Sequence, residues 1–240
     1  MSYETALLDK QIGDTINAKR ALLAEAVTAR HFELHPELES RYGAVGREKC
    51  LQDAHYHLSY LAEAINTSLP SLFADYVAWA KVMLESRGVP ASDLARNLEI
   101  IRIVVREHLP TEMSDQAGRF ISEGVRRLPQ IDSLLPTHIC KGGAHAELAR
   151  QYLEALLRGE RHRASDLILA AVGGGITVRE AYMHVFQPAQ REIGRLWQLN
   201  LLSVAQEHYC TAATQLIMSQ LYPHIFSAER NGRTLVATCV

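Results

Sequence analysis

The sequence predicts an all-α protein, and three features of the 240-residue chain support this prediction. Apolar residues recur at three- and four-residue steps through almost the whole chain, which is the period of an amphipathic helix. Glycines and prolines stand mainly between these periodic segments, where they end one helix and precede the next. The exception is Thr234–Val240 (TLVATCV), a short β-branched run that follows the turn signal Asn231-Gly232.

The first part of the chain is predicted to form a helical domain over residues 1–130. Its helices span Ser2–Leu34, Gly46–Ile65, Leu69–Ser86, Ala91–Leu109 and Ser114–Leu128. In the first of them a buried stripe is expected from Leu7, Leu8, Ile12, Ile16, Leu22, Leu23 and Val27. Residues 131–143 lose the helical period and contain proline and glycine, which predicts a linker.

A four-helix bundle is predicted over residues 144–230. Its first two helices span Ala144–Leu157 and Arg161–Val172, and a Thr177/Glu180 capping box follows the Gly-Gly-Gly run at 173–175. The third helix is expected to begin at Pro188, because proline is tolerated in a first turn. The fourth is expected to begin at Ser203, which forms a second capping-box pattern with Gln206.

Residues 231–240 are predicted to begin a doubly wound domain. A single strand cannot bury both faces or pair its backbone, so the chain is expected to be a fragment of a longer protein. The four cysteines are widely spaced and form no metal-type pair, which predicts reduced thiols in a cytoplasmic protein. Hydrophobic residues make up 48% of the chain and the formal net charge is −2, so a core is available and direct nucleic-acid binding is not expected. Long apolar runs are absent, and the first residues lack the basic-then-apolar pattern of a signal peptide.

The segment of residues 185–223, VFQPAQREIGRLWQLNLLSVAQEHYCTAATQLIMSQLYP, carries the strongest functional pattern. Trp197 is predicted at the end of one helix, and Glu207 and His208 in the opening turns of the next. The plain interpretation is a helical hairpin with an interface tryptophan, a first-turn acid favoured by the helix dipole, and a surface imidazole. The spacing and its flanks, QPAQREIG and VAQEH, resemble instead the helical cap of CarH-type cobalamin photoreceptors, over roughly residues 142–240.

That resemblance implies adenosylcobalamin as a cofactor. Trp197 would pack beside the adenosyl group above the corrin, with Glu207 and His208 over the same face. Gln198 stands where the photoreceptors have a histidine that captures cobalt after photolysis. The family's lower-ligand motif, Asp-x-His-x-x-Gly, does not occur in these 240 residues, so the cap alone is expected to bind cobalamin poorly.

A second pattern lies in residues 49–65, KCLQDAHYHLSYLAEAI, where Cys50, Asp53, His57 and Tyr60 recur at helical steps and share one face. A partly solvated face with an Asp53–His57 pair would explain the pattern without a ligand. The run Cys-Leu-x-Asp and the Leu-x-x-x-Gly-x-Pro turn of the next segment are also similar to the globin-like phycobiliproteins.

That similarity implies a bilin, with Cys50 as its thioether attachment and Asp53 on the pyrrole N–H groups. Gln52 replaces the family's propionate-binding arginine, and Arg47, one turn below, is the expected substitute donor. The apolar walls are expected from Leu58, Trp79 and Met83. The residues predicted to contact the bilin are Arg47, Cys50, Asp53, His57, Tyr60 and Trp79.

Together the two halves resemble photocobilins, which join a bilin-binding globin-like domain to a cobalamin photoreceptor module. This implies a light-sensing signalling protein that binds a bilin, biliverdin foremost, and adenosylcobalamin; it is not expected to be an enzyme, and no catalytic or metal-ligating residue is predicted. The alternatives are a corrinoid carrier of a methyltransferase, a haem-binding sensor globin with His55 or His57 as axial ligand, and a dimerisation scaffold that binds nothing. A homodimer and an output domain or partner protein are left open.

Overall fold

The computed structural model describes residues 3–132, 135–139, 142–225, 232–234 and 236. No strand occurs in these residues, and most of them are helical, which confirms the all-α prediction. The chain divides into two compact units, Met1–Leu134 (unit 1) and Leu135–Val240 (unit 2). The strand expected over Thr234–Val240 lies mostly outside the described residues. No helix in the described part of the chain is long and apolar enough to span a bilayer.

Unit 1 is built around its longest helix. The described helices are α1 (Tyr3–Ala18), α2 (Arg20–Leu34), α3 (Glu37–Asn66), α4 (Pro70–Glu85), α5 (Ala91–His108) and α6 (Thr111–Arg127), followed by a 3₁₀ turn at Leu128–Gln130. Helix α3 packs against α1, α2 and α4, while α5 packs against α2 and α6. One apolar core runs through these helices.

The first predicted helix is in fact two helices, α1 and α2, separated at Lys19. The expected stripe is also only partly buried: Leu23 is fully buried, whereas Leu7 and Leu22 are about half exposed. Neighbouring residues on a helix are about 100° apart, so only one of Leu22 and Leu23 can face the core.

Helix α3 begins at Glu37 instead of the predicted Gly46, and it contains a kink. The kink lies at Gly43, whose φ of 62° and ψ of −164° are outside the helical range. A residue with a Cβ rarely adopts this φ, so glycine is what allows the chain to turn here. The part of α3 after the kink carries the second sequence pattern.

Helices α1 and α3 approach each other closely at Gly13. A Cβ added there would lie 2.6 Å from the carbonyl oxygen of Ala62 and 2.0 Å from Oδ1 of Asn66. We expect Gly13→Ala to destabilise unit 1 by about 1–3 kcal/mol, as other overpacking substitutions do, because backbone atoms must move. Urea unfolding of the two proteins measures the difference.

The matched control is Gly118→Ala in α6, where an added Cβ meets no atom within 4 Å. That change should stabilise the protein by about 0.5–1 kcal/mol, since alanine loses less backbone entropy in a helix. Unfolding is followed by the fluorescence of Trp79 in a Trp197→Phe background, because each unit contains one of the two tryptophans. A similar effect of both substitutions would contradict the close approach at Gly13.

Unit 2 is a four-helix bundle. Its described helices are α7 (Ala146–Leu157), α8 (Arg161–Gly173), α9 (Val178–Ala181), a π-helical segment (Tyr182–Phe186), α10 (Gln187–Gln198), α11 (Val204–Gln220) and α12 (Tyr222–Ile225). The segments α9, π and α10 follow one another without a break and form one long helix. Helix α7 packs against α8, α10 and α11 around an apolar core that includes Tyr152 and Phe186.

Both predicted capping boxes are confirmed: Thr177 pairs with Glu180 before α9, and Ser203 pairs with Gln206 before α11. The prediction that a helix begins at Pro188 is wrong, because the long helix starts ten residues earlier, at Val178. Proline removes a backbone N–H from the helix interior, and the preceding π turn is the kind of local adjustment that accommodates such a defect.

Candidate functional site

Unit 1 contains a cavity of about 310 Å³ between α2, α3, α5 and the α4–α5 turn. This volume lies in the range of small-molecule sites. Three of the predicted site residues, Cys50, Asp53 and His57, line it together. The remaining wall is formed by His31, Phe32, Leu38, Tyr42, Val45, Gly46, Lys49, Leu84, Arg87, Val89, Asp93, Leu94 and Asn97.

The other predicted residues do not line this cavity, among them Leu58 and Met83, which were expected in its apolar wall. The guanidinium of Arg47 lies over the Phe32 ring, 5.0 Å from its centroid. Tyr60 and Trp79 are both partly exposed, and the Tyr60 ring stacks on Tyr76. Tyr60 is rotated by about 80° around α3 from Cys50, enough to turn it from the cavity toward α4.

Asp53 is a half-buried carboxylate in the cavity wall. Burial raises its pKa to about 6, and the nearby Lys49 opposes the shift. A second carboxylate, Asp93, also lines the cavity, but it accepts hydrogen bonds from Arg41 at 3.1 Å and Tyr42 at 3.0 Å. Asp53 has no ion pair among the described residues, so it is the carboxylate that a cationic or N–H-rich ligand would meet.

Cys50 lies in a polar corner of the cavity. Its Sγ is 3.6 Å from Nδ1 of His31 and 3.7 Å from Nδ2 of Asn97. Burial, reinforced by the charge of Asp53, raises the pKa of the Cys50 thiol to about 11. The thiol therefore stays protonated at neutral pH and is a poor nucleophile as it stands.

His31 and Asn97 are cavity residues that the sequence analysis missed. Asn97 Nδ2 is 2.9 Å from His31 Nδ1, and burial, followed by the neighbouring His35, lowers the pKa of His31 to about 4. His31 Nε2 and Asn97 Oδ1 have no hydrogen-bond partner within the described structure. Buried polar atoms without partners are uncommon, and these two belong to residues that line the cavity. These residues are on α2 and α5, far in sequence from the pattern in α3.

His57 is the most buried of the six residues predicted to contact the bilin. It is 3% exposed, and its Nδ1 is 2.7 Å from the hydroxyl of Tyr76 in α4. Burial lowers the pKa of His57 to about 4, and burial also raises the pKa of Tyr76. The imidazole is therefore neutral at pH 7.

We expect unit 1 to lose stability as the pH falls from 7 to 5. His31 and His57 have folded-state pKa values of about 4, against 6.5 when unfolded, so the unfolded chain binds more protons between these values. Asp53 acts in the opposite direction between about pH 6 and pH 3.8, since in this range the folded protein binds more protons at Asp53 than the unfolded chain does. The destabilising contribution of the two histidines should exceed the stabilising contribution of the one carboxyl. The net change in the free energy of unfolding is measured by urea unfolding, followed by Trp79 fluorescence in the Trp197→Phe protein.

The control for this pH dependence is Asp53→Asn, which removes the opposing contribution and should make the loss on acidification steeper. Stability at pH 5 equal to or above that at pH 7 in the parent protein would show that the two imidazoles are not held neutral by burial.

In unit 2 the junction between α10 and α11 positions the predicted residues. The N–H of Leu201 donates to the Leu196 carbonyl at 2.8 Å, and the N–H of Asn200 donates to the Trp197 carbonyl at 3.0 Å. Asn200 has a φ of 57°, so the junction is a Schellman motif with asparagine in the left-handed position. The motif ends α10 just after Trp197, and the Ser203 cap starts α11 four residues before Glu207.

Glu207 and His208 form a pair at the start of α11. The Glu207 carboxylate lies 2.6 Å from His208 Nδ1 and accepts a hydrogen bond from the Thr211 hydroxyl at 2.9 Å. His208 is largely exposed, Glu207 is half-buried, and Trp197 is half-buried. Leu201 and Val204 in the same junction are 65% and 54% exposed. The junction thus combines exposed apolar surface with a carboxylate–imidazole pair.

A series of polar contacts continues from Glu207 into the bundle, in which the single proton of the Thr211 hydroxyl can be donated either to Glu207 or to Gln190. Thr211 is 3.3 Å from Gln190 Oε1, and Gln190 Nε2 donates to the Thr214 hydroxyl at 2.6 Å. The Thr214 hydroxyl in turn donates to a backbone carbonyl and lies 2.8 Å from the hydroxyl of the fully buried Tyr152. The position of Glu207 is therefore linked to polar groups in the bundle core.

Glu192 and Arg195, which were not predicted from the sequence, form an ion pair that contacts the first residues of unit 2. Glu192 is 5% exposed, pairs with Arg195 at 2.6 Å and accepts the N–H of His138 at 2.9 Å. Burial raises the pKa of Glu192, but the Arg195 guanidinium and the His138 N–H outweigh burial, and the net pKa is lowered. The i, i+3 spacing of Glu192 and Arg195 within the sequence REIGR is the feature from which this ion pair could have been predicted.

Residues 148–222 match the family model described as B12 binding domain. Unit 2 therefore contains a cobalamin-binding helical domain, which confirms the cobalamin part of the resemblance. Comparisons with curated proteins and with solved structures found no match. Among the described residues, His, Cys, Asp and Glu side chains do not gather in threes that could hold a metal ion.

Proposed function

We propose that this protein is a light-sensing signalling protein, not an enzyme, that binds adenosylcobalamin on unit 2 and a bilin, biliverdin foremost, in unit 1. The observation that carries the proposal is the coincidence of the B12 binding domain with Trp197, Glu207 and His208 at one helix junction. A signalling role implies an output domain or partner protein. When bound, adenosylcobalamin supplies a light-sensitive cobalt–carbon bond, and a bilin supplies a photoisomerisable double bond.

The residues of unit 2 fit the upper face of a corrin. Trp197 offers a half-buried ring to the adenosyl group, while Leu201 and Val204 offer apolar surface. Glu207 holds His208 by their 2.6 Å contact. If Trp197 loses the group against which it packs, the junction can shift, and the link from Glu207 through Thr211 carries that shift into the bundle.

The residues of unit 1 fit a linear tetrapyrrole. Asp53 provides a carboxylate for pyrrole N–H groups, and His57 lines the same cavity. Lys49 and Arg87 also line it and supply cations for propionate groups, a role that the sequence analysis gave to Arg47. The protonated Cys50 thiol favours non-covalent retention of the bilin over a thioether.

Haem binding is the second candidate for unit 1, because two neutral imidazoles, His31 and His57, line the cavity. His57 can ligate iron through Nε2 only if its proton sits on Nδ1 and is donated to Tyr76. In addition, Asp53 in the same wall has no evident role over a haem face.

Separate additions of biliverdin, haemin, methylcobalamin and adenosylcobalamin, each followed by absorption spectroscopy before and after illumination, test the proposal. We expect a red-absorbing biliverdin complex and a light-sensitive adenosylcobalamin complex in protein that includes any sheet domain following residue 240. Stoichiometric haemin binding without a biliverdin complex would favour the haem sensor. A light-insensitive complex with a preference for methylcobalamin would favour a corrinoid carrier.

A further inference from the structure

Tyr76 lies at the centre of an aromatic cluster that connects the cavity wall with the surface of unit 1. Its hydroxyl is 2.7 Å from Nδ1 of His57, which lines the cavity. Its ring stacks on Tyr60 with 3.9 Å between centroids and an angle of 10° between planes. The Trp79 ring, which is also on α4, has its centroid 6.4 Å from that of Tyr76, and the angle between the two ring planes is 25°. Tyr76 is 7% exposed, whereas Tyr60 and Trp79 are 44% and 39% exposed.

The partner of the Tyr76 hydroxyl is what distinguishes this cluster from ordinary core packing. A buried tyrosine needs some hydrogen-bond acceptor, and a carbonyl or hydroxyl oxygen serves in most cases. Here the partner is an imidazole, which is a base. In the tautomer that carries its proton on Nε2, His57 accepts the Tyr76 hydrogen bond at Nδ1 and can take the proton without help from water.

We propose that Tyr76 is a redox-active tyrosine, with His57 as its proton acceptor and Tyr60 and Trp79 as its electron path to the surface. A one-electron oxidant of the radical class removes an electron from Tyr60 or Trp79, and Tyr76 replaces that electron. The Tyr76 O–H bond breaks, its proton forms an N–H bond at His57 Nδ1, and a neutral phenoxyl radical is left. The oxidant gains one electron, so charge and atoms balance.

The electrostatics of the site support this step. Burial raises the pKa of Tyr76, so the resting phenol keeps its proton. Burial lowers the pKa of His57 to about 4, so the imidazole is neutral at pH 7 and can accept a proton, as a weaker base than an exposed imidazole. An oxidised phenol is a far stronger acid than the phenol itself, so loss of the electron sends the proton toward His57. Tyr76 would thereby intercept oxidising radicals before they reach a ligand in the cavity; the step itself does not depend on which ligand is bound.

The test uses the chain without cofactor, oxidised by photoexcited ruthenium tris-bipyridine with persulfate and frozen for electron paramagnetic resonance. We expect a persistent neutral phenoxyl signal with an exchangeable hydrogen-bond proton, detected by ENDOR after transfer to D₂O. Tyr76→Phe should remove most of the persistent signal. The matched control is Tyr152→Phe, since Tyr152 is fully buried and, among the described residues, its hydroxyl is hydrogen-bonded only to the Thr214 hydroxyl, at 2.8 Å, which is no base.

A second variant separates proton transfer from packing. His57→Gln keeps a hydrogen-bond acceptor but cannot hold the proton, so radical formation should slow several-fold while circular dichroism stays unchanged. An undiminished signal in folded Tyr76→Phe would overturn the proposal, as would His57→Gln kinetics equal to the parent. If Tyr76→Phe does not fold, the parent spectrum decides alone: a persistent phenoxyl without an exchangeable proton coupling also overturns the proposal.

Discussion

Replacing Asp53 by asparagine should abolish most of the red absorption that biliverdin gains on binding to unit 1, and should weaken binding roughly tenfold or more. The reason is that an amide cannot provide the counter-charge that a carboxylate offers to pyrrole N–H groups, and a charge-assisted hydrogen bond is worth about 1.5–3 kcal/mol. Titration of the parent and the variant with biliverdin, followed by absorption, measures both effects.

The pH dependence of the same complex provides an independent check. Because burial raises the pKa of Asp53 to about 6 in the ligand-free protein, biliverdin should bind more tightly at pH 7.5 than at pH 5. In Asp53→Asn this part of the pH dependence should disappear, since the titrating group is gone.

Asp93→Asn is the matched control, because Asp93 is the other carboxylate in the cavity wall. Its oxygens are already engaged by Arg41, Tyr42 and Arg96, so its loss should lower stability while leaving the colour of the complex unchanged. If both variants bind biliverdin with the parent spectrum, the cavity is not a bilin site.

Local chemistry in the sequence was enough to predict many helix boundaries. The Thr177 and Ser203 capping boxes are set by side chains within three residues of one another, and both are present in the structure. Gly88, which ends the α4 segment, has the positive φ of 79° expected at a helix stop. Such signals need no information about distant parts of the chain.

The cavity could be predicted only in part, because its wall comes from several helices. Cys50, Asp53 and His57 lie on one helix, so their periodicity brings them together in the sequence itself. His31, Asn97 and Tyr76 meet them only through the packing of α2, α5 and α4 against α3, which no local pattern encodes. Similarly, the start of the helix that contains Pro188 was predicted wrongly, because the π turn that accommodates the proline is a property of the packed bundle.

Replacing Trp197 by alanine should reduce the preference of unit 2 for adenosylcobalamin over methylcobalamin by roughly tenfold. An aromatic contact contributes about 0.5–1.5 kcal/mol beyond the burial of its area, and only the adenosyl form has a group large enough to receive it. Affinities for both forms are measured by equilibrium dialysis in the dark, in protein that includes any sheet domain following residue 240. Trp197→Phe keeps an aromatic ring and should retain part of the preference.

The control is Trp79→Ala, which removes the other tryptophan of the chain and lies in unit 1. It should leave both cobalamin affinities unchanged, so that a general loss of stability is separated from loss of the ring. Trp197 is half-buried in the last turn of α10, and the backbone hydrogen bonds of the Schellman turn at Asn200 do not involve its side chain, so the junction should stay folded without the ring. Equal affinities of parent and Trp197→Ala for each form would mean that this ring serves only to pack the bundle, and the proposed photoreceptor role of unit 2 would lose its main support.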